Sequence, residues 1–131
     1  MLTTLMIGIA GGIGTLLRYG LSLAMTDMLG AAFPFGTLTV NLLGSFALSL
    51  IAEVFAGATF ADADVRLLLG VGLMGGFTTY SSFNLEALRL LQQGAYPKAA
   101  GYIVATLLGC LVSGLCGLML ARALMGAQPP G

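Results

Sequence analysis

Four stretches of this sequence, at 3–25, 35–56, 65–91 and 99–124, are long and strongly apolar. Each reaches the ~20 residues that an α-helix needs to cross ~30 Å of hydrocarbon. Short loops and a tail ending in Gln128-Pro129-Pro130-Gly131 make up the remainder of the 131 residues. The expectation is one all-α membrane domain over 1–131 with four transmembrane helices. Charge agrees with it: 8% of residues are charged, against ~25% in an average soluble domain. The first stretch has no Lys or Arg before it and exceeds the apolar length of a signal peptide, so it reads as a retained span.

The third stretch carries the main anomaly. Gly75-Gly76-Phe77-Thr78-Thr79-Tyr80-Ser81-Ser82-Phe83-Asn84 sets two glycines, four hydroxyls, three aromatics and an amide at membrane depth. Hydrocarbon supplies no hydrogen bonds, so polar or irregular backbone persists there only when buried in protein or lining a cavity. Glycine weakens a helix and threonine hydroxyls compete for its backbone bonds, which predicts an interruption over Gly75-Gly76 and Thr78-Thr79. A break frees carbonyl oxygens that can hold a cation such as Na+ or K+. Tyr80 and Phe83 share a face if the helix resumes, and ring edges carry partial positive charge. They read either as anion contacts or as ordinary packing between helices.

Two polar rails accompany this patch. The second span carries Thr37, Asn41, Ser45 and Ser49 at four-residue spacing. Such a face must point into protein or water. Ser and Thr can bond back to their own helix, but a carboxamide has two donors and needs other partners. Asn41 therefore lines a polar path or bonds another helix. The fourth span adds Tyr102, Thr106 and Cys110, beside a rail of small residues, Gly101, Ala105, Gly109, Ser113, Gly117 and Ala121. Small rails let helix backbones approach closely, and Gly8 and Gly12 suggest the same on the first span. Cys110 and Cys116 lie six residues apart on one helix, beyond disulfide reach, and read as buried apolar residues. Glu86 and Arg89, three apart, are spaced to pair.

Charge gives the orientation almost no bias. Arg66 and Arg122 fall on one side of the membrane, Arg89 and Lys98 on the other, with Arg18 inside the first span nearer the second side. Orientation normally follows a Lys/Arg excess. Near balance leaves two readings: something outside this count decides, or the chain inserts both ways and opposed copies pair. Four helices enclose little by themselves, so a homo-oligomer is expected. Arg18 either snorkels to the interface or adds positive potential at a pore mouth. A net charge of zero without a basic run excludes a nucleic-acid partner. Absence of histidine, and of any nucleophile–base pair, argues against an enzyme.

Three stretches resemble the Fluc/CrcB fluoride-channel family: Gly11 to Tyr19, Gly36 to Phe46, and Gly75 to Phe83. Their order and spacing fit essentially the whole chain. The resemblance implies an antiparallel, dual-topology homodimer in the bacterial inner (plasma) membrane, surrounded by lipid, with two pores exporting fluoride passively. It implies a structural Na+ at the dimer centre, held by the main-chain carbonyls of Gly75 and Thr78. It assigns the fluoride path to Asn41, Tyr80, Ser81, Phe83, Tyr102 and Thr106. The family usually has phenylalanine at the place of Tyr80, and often serine at that of Thr106. Two other classes compete: a small dual-topology proton-coupled drug exporter and a non-transporting scaffold subunit. The exporter needs a carboxylate within the first span, where Asp27 at its end is the only acidic neighbour.

Overall fold

The computed structural model describes residues 1–56 and 60–126. The described chain is all-helical. Helix α1 spans Leu2–Leu29, α2 Phe35–Val54 and α6 Tyr96–Leu124. All three are long and apolar enough to cross a membrane. The stretch expected as the third span is built from pieces and holds no single helix of that length: α3 (Phe60–Arg66), a π-helical stretch Leu67–Met74, the single turn α4 (Gly75–Phe77), and α5 (Tyr80–Gln92).

The interruption falls within the expected stretch, at its threonines and not at its glycines. Gly75 and Gly76 are helical, whereas Thr78 (φ −76°, ψ 157°) and Thr79 (φ −154°, ψ 116°) are extended. Glycine serves here for close approach rather than for breaking. A Cβ on Gly76 would collide with the Gly11 carbonyl, and one on Gly14 with the Leu73 carbonyl. Gly72 faces Ala10 Cβ, which a Cβ there would meet at 2.8 Å. Helix α1 thus lies backbone to backbone against the π segment and α4, the kind of contact that small residues allow in membranes. The expected pair, Gly8 and Gly12, faces open space; Gly11 and Gly14 take the role.

The small rail of α6 packs on α2 within the same chain. A Cβ on Gly117 would strike the Phe46 carbonyl, and Ser113 Oγ donates to the Leu42 carbonyl at 2.7 Å. Gly101 has no neighbour. Two small cores result, one around Phe83, Ala87, Leu90, Ala99 and Tyr102, the other around Val40, Met74 and Phe77. Most remaining large apolar side chains point outward, as lipid or a partner copy permits. Cys116 is exposed and Cys110 half-buried, so the cysteines are less enclosed than their apolar character suggested.

Candidate functional site

The interruption organises the site. Thr79 caps α5: its Oγ1 accepts from the Ser82 N–H at 3.2 Å, satisfying a donor that a helix start leaves unpaired. Its backbone is gripped by Asn41 across the chain. Asn41 Nδ2 donates to the Thr79 carbonyl at 2.9 Å, and the Thr79 N–H donates to Asn41 Oδ1 at 2.9 Å. The carboxamide stands in for a neighbouring peptide unit, satisfying both backbone groups of a buried residue. One Nδ2 hydrogen and one Oδ1 lone pair remain, and Asn41 also lines the groove described below. The two readings of Asn41, interhelical bond and lining residue, therefore coexist.

This arrangement has a second effect on the backbone. In a continuous helix the Thr79 N–H would bond the Gly75 carbonyl, and the Ser82 N–H the Thr78 carbonyl. Here the first goes to Asn41 and the second to the Thr79 hydroxyl. The carbonyls of Gly75 and Thr78 thereby lose their helical donors. Hard oxygens freed in this way are chemically suited to hold a small cation, and two come from one chain. Among the described residues there is no cluster of acidic or sulfur side chains that could do so instead.

Beside the break, an open groove of about 1140 Å3 runs between α2 and α6. Asn41, Ser45 and Ser49 line one wall, Thr106 and Cys110 the other, with Thr79, Tyr80 and Phe83 between them. Five of the residues singled out on the two rails thus share one cavity. The Thr106 hydroxyl is buried and has no hydrogen-bond partner. Phe83 is 6% exposed and its ring centroid lies 5.6 Å from that of Tyr80, which is 74% exposed. The two aromatics share a face, but only Phe83 is enclosed by its own chain. Ser81 is exposed, its Oγ 3.4 Å from Thr79 Oγ1.

Thr37 and Tyr102 lie outside the groove's lining and meet at Glu86. Thr37 Oγ1 donates to Glu86 Oε1 at 2.8 Å and Tyr102 OH to Oε2 at 2.6 Å. The expected pairing of Glu86 with Arg89 is absent; Glu86 turns inward to two hydroxyls while Arg89 is exposed. Tyr102 is fully buried, its ring 5.2 Å from Phe83 and edge-on to Phe33 at 5.5 Å. Sequence reasoning missed Glu86 as the hub of this cluster. Its signal was present, since a carboxylate within a span needs partners. Arg18 is half-buried on α1, and among the described residues the one ion pair joins Arg122 and Glu53.

Chemically, the groove offers hydroxyls, an amide and ring edges at membrane depth, with a carboxylate held by hydroxyls beyond one end. It suits a small ion that sheds part of its hydration shell. A family model described as CrcB-like protein, Camphor Resistance (CrcB), matches residues 5–118. A fluoride-specific ion channel FluC of Sorangium cellulosum is 46% identical over 91% of this chain and 94% of its own length. A protein of the same name from Anaeromyxobacter sp. (strain K) is 43% identical over 96% of this chain and all of its own. One from Geobacter sulfurreducens is 40% identical over 95% of this chain and all of its own.

Proposed function

The chain belongs to the CrcB family, and from that premise we propose that it is a fluoride channel letting the ion leave the cytoplasm down its electrochemical gradient. It is an ion channel and not an enzyme. The observation that carries the reading is the groove: a strip of neutral polar groups, those of Asn41, Ser45, Thr106 and Tyr80, runs beside the Phe83 ring between walls that are otherwise mostly leucine. Neutral donors replace part of the hydration shell while leaving the ion free to depart, as conduction requires. The unused hydrogen of Asn41 supplies one such donor, and the buried, unpartnered hydroxyl of Thr106 a second once its side chain turns toward the groove. Phe83, Tyr80 and Ser81 flank the ion's path at the break, Tyr102 continues it toward Glu86, and Arg18 adds positive potential at a vestibule.

Two further features complete the proposal. The groove is open along one side, and its polar rail at lipid depth needs a cover. A second copy in the opposite orientation supplies it, consistent with the near-even distribution of Lys and Arg. The pair is an antiparallel homodimer with two pores in the bacterial inner membrane. The carbonyls of Gly75 and Thr78, deprived of their helical donors, would hold a structural Na+ where two copies meet. When bound, that ion supplies a positive charge shared by the two backbones and no chemistry.

The test is ion efflux from liposomes containing the purified protein. Fluoride should leave fast without a proton or Na+ gradient, and chloride much more slowly. Equal leakage of both anions, or of neither, would refute the channel reading.

A further inference from the structure

The rail on α2 does not end at Ser49. The next residue at the same spacing is Glu53, and Asn41, Ser45, Ser49 and Glu53 all line the same groove. From Thr37 to Glu53 the face extends about 24 Å along the helix axis, at ~1.5 Å per residue. Glu53 is the one carboxylate among the lining residues. Its Oε1 accepts from Arg122 Nε at 2.8 Å, joining the C-terminal ends of α2 and α6 at one end of the groove. The Arg122 side chain is 62% exposed and that of Glu53 25%, so this is a mouth open to solvent. Such exposed pairs contribute little to stability. Their charges instead govern the local concentration and approach rate of small ions.

The two ends of the rail differ in this respect. At the Thr37 end, Glu86 is held by two hydroxyls. At the Glu53 end, a cation holds the carboxylate. We propose that Glu53 and Arg122 form a charge-compensated mouth: Arg122 masks the carboxylate in the groove, so an anion meets no net negative charge there. Arg122 is thus a positioning residue that sets the access rate of the ion. This inference rests on the anion-channel reading of the groove.

The pair's opposite charges make the test decisive. In liposome efflux at low ionic strength, R122Q bares the carboxylate and slows fluoride release roughly two- to threefold, from the Coulomb energy of one charge ~8 Å away in water. E53Q leaves the arginine unopposed and speeds release by a similar factor. E53Q/R122Q returns close to the wild-type rate, and R122K keeps it. Because the Debye length falls to ~3 Å at 1 M salt, both single effects should vanish there. A merely structural pair would make both single variants slower and leave the double variant slow. That result, or no change in R122Q while the wild type conducts, overturns the proposal. A wild type that conducts no anion would overturn the channel reading, and the proposal with it.

Discussion

Replacing Asn41 by alanine is the sharpest perturbation the structure offers. It removes the partner of the Thr79 N–H and one of two partners of the Thr79 carbonyl, which as the cap of α5 also accepts the first bond of that helix. Thr79 is only 7% exposed, so water does not readily take their place. A buried group left without its partner costs about 1–3 kcal/mol and a lost second bond about 0.5–1.5, which bounds the loss at roughly 4 kcal/mol. Measured interhelical hydrogen bonds in membranes average ~0.6 kcal/mol, which sets a floor near 1 kcal/mol. The two backbone groups have no free rotor with which to find new partners, so we expect about 2–4 kcal/mol. For a chain of this size that is a fall of roughly 10 °C in melting temperature. Heating the protein in detergent while following helical circular dichroism measures it. Asn84→Ala, which truncates an exposed amide on α5, serves as the control and should stay within about 0.5 kcal/mol of wild type. Should N41A melt together with that control, the amide does not hold the interruption, and the account of the freed carbonyls fails with it.

Three further outcomes are expected. Phe83→Ile should cost about 1 kcal/mol in stability, because it keeps most of the core volume, yet strongly reduce fluoride flux; unchanged flux removes the ring from the ion path. Gly76→Ala, whose Cβ would collide with the Gly11 carbonyl, should lose about 2 kcal/mol or more, whereas Gly8→Ala, facing open space, should be neutral in the same thermal melt. Exchanging Na+ for a bulky organic cation in detergent should lower the melting temperature and favour dissociation on size-exclusion chromatography; indifference to Na+ would remove the proposed cation from the Gly75 and Thr78 carbonyls.

The polar faces of the second and fourth spans were legible because they rest on local periodicity, whereas three continuous apolar helices and a stretch built from pieces stand where four spans were expected. Asn41, Ser45 and Ser49 share a face by helix geometry alone, as do Thr106 and Cys110. The interruption was legible as a stretch from Gly75 to Thr79, but which of those residues leave the helix was not. Gly75-Gly76 has the weakest helix propensity in the third span, but propensity is a small energy beside backbone packing. The close approach of Gly11 to Gly76 uses both glycines inside helices, and no local pattern encodes an approach between residues so far apart. Glu86 is a similar case. Its neighbour Arg89 is attractive by spacing, worth a few tenths of a kcal/mol on an exposed face. Two buried hydroxyls from other helices outbid it, and burial is a tertiary fact. Glu53, by contrast, was within reach of the pattern: following the rail one further turn from Ser49 meets it directly.

The same competition explains why the break sits beside Asn41 rather than at the glycines. An interruption at membrane depth strands donors and acceptors, so it is stable only where a neighbouring side chain can serve both kinds at once. Carboxamides are the uncharged side chains that carry a donor and an acceptor side by side. Asn41 is the one such residue on α2, and Thr79 is the residue it reaches. A hydroxyl carries both functions on a single oxygen and not on two atoms spaced like those of a peptide, and a carboxylate would repel the carbonyl. The identity of this one side chain thus ties the two halves of the site together. By taking the Thr79 N–H it releases the Gly75 carbonyl on the side of the proposed cation. With the hydrogen it keeps in reserve it still faces the groove proposed for the anion. Asn41→Ser should therefore weaken both functions together, the response to Na+ and the flux of fluoride. A variant that loses fluoride flux while retaining the full wild-type melting point in Na+ would show that the two sides are independent.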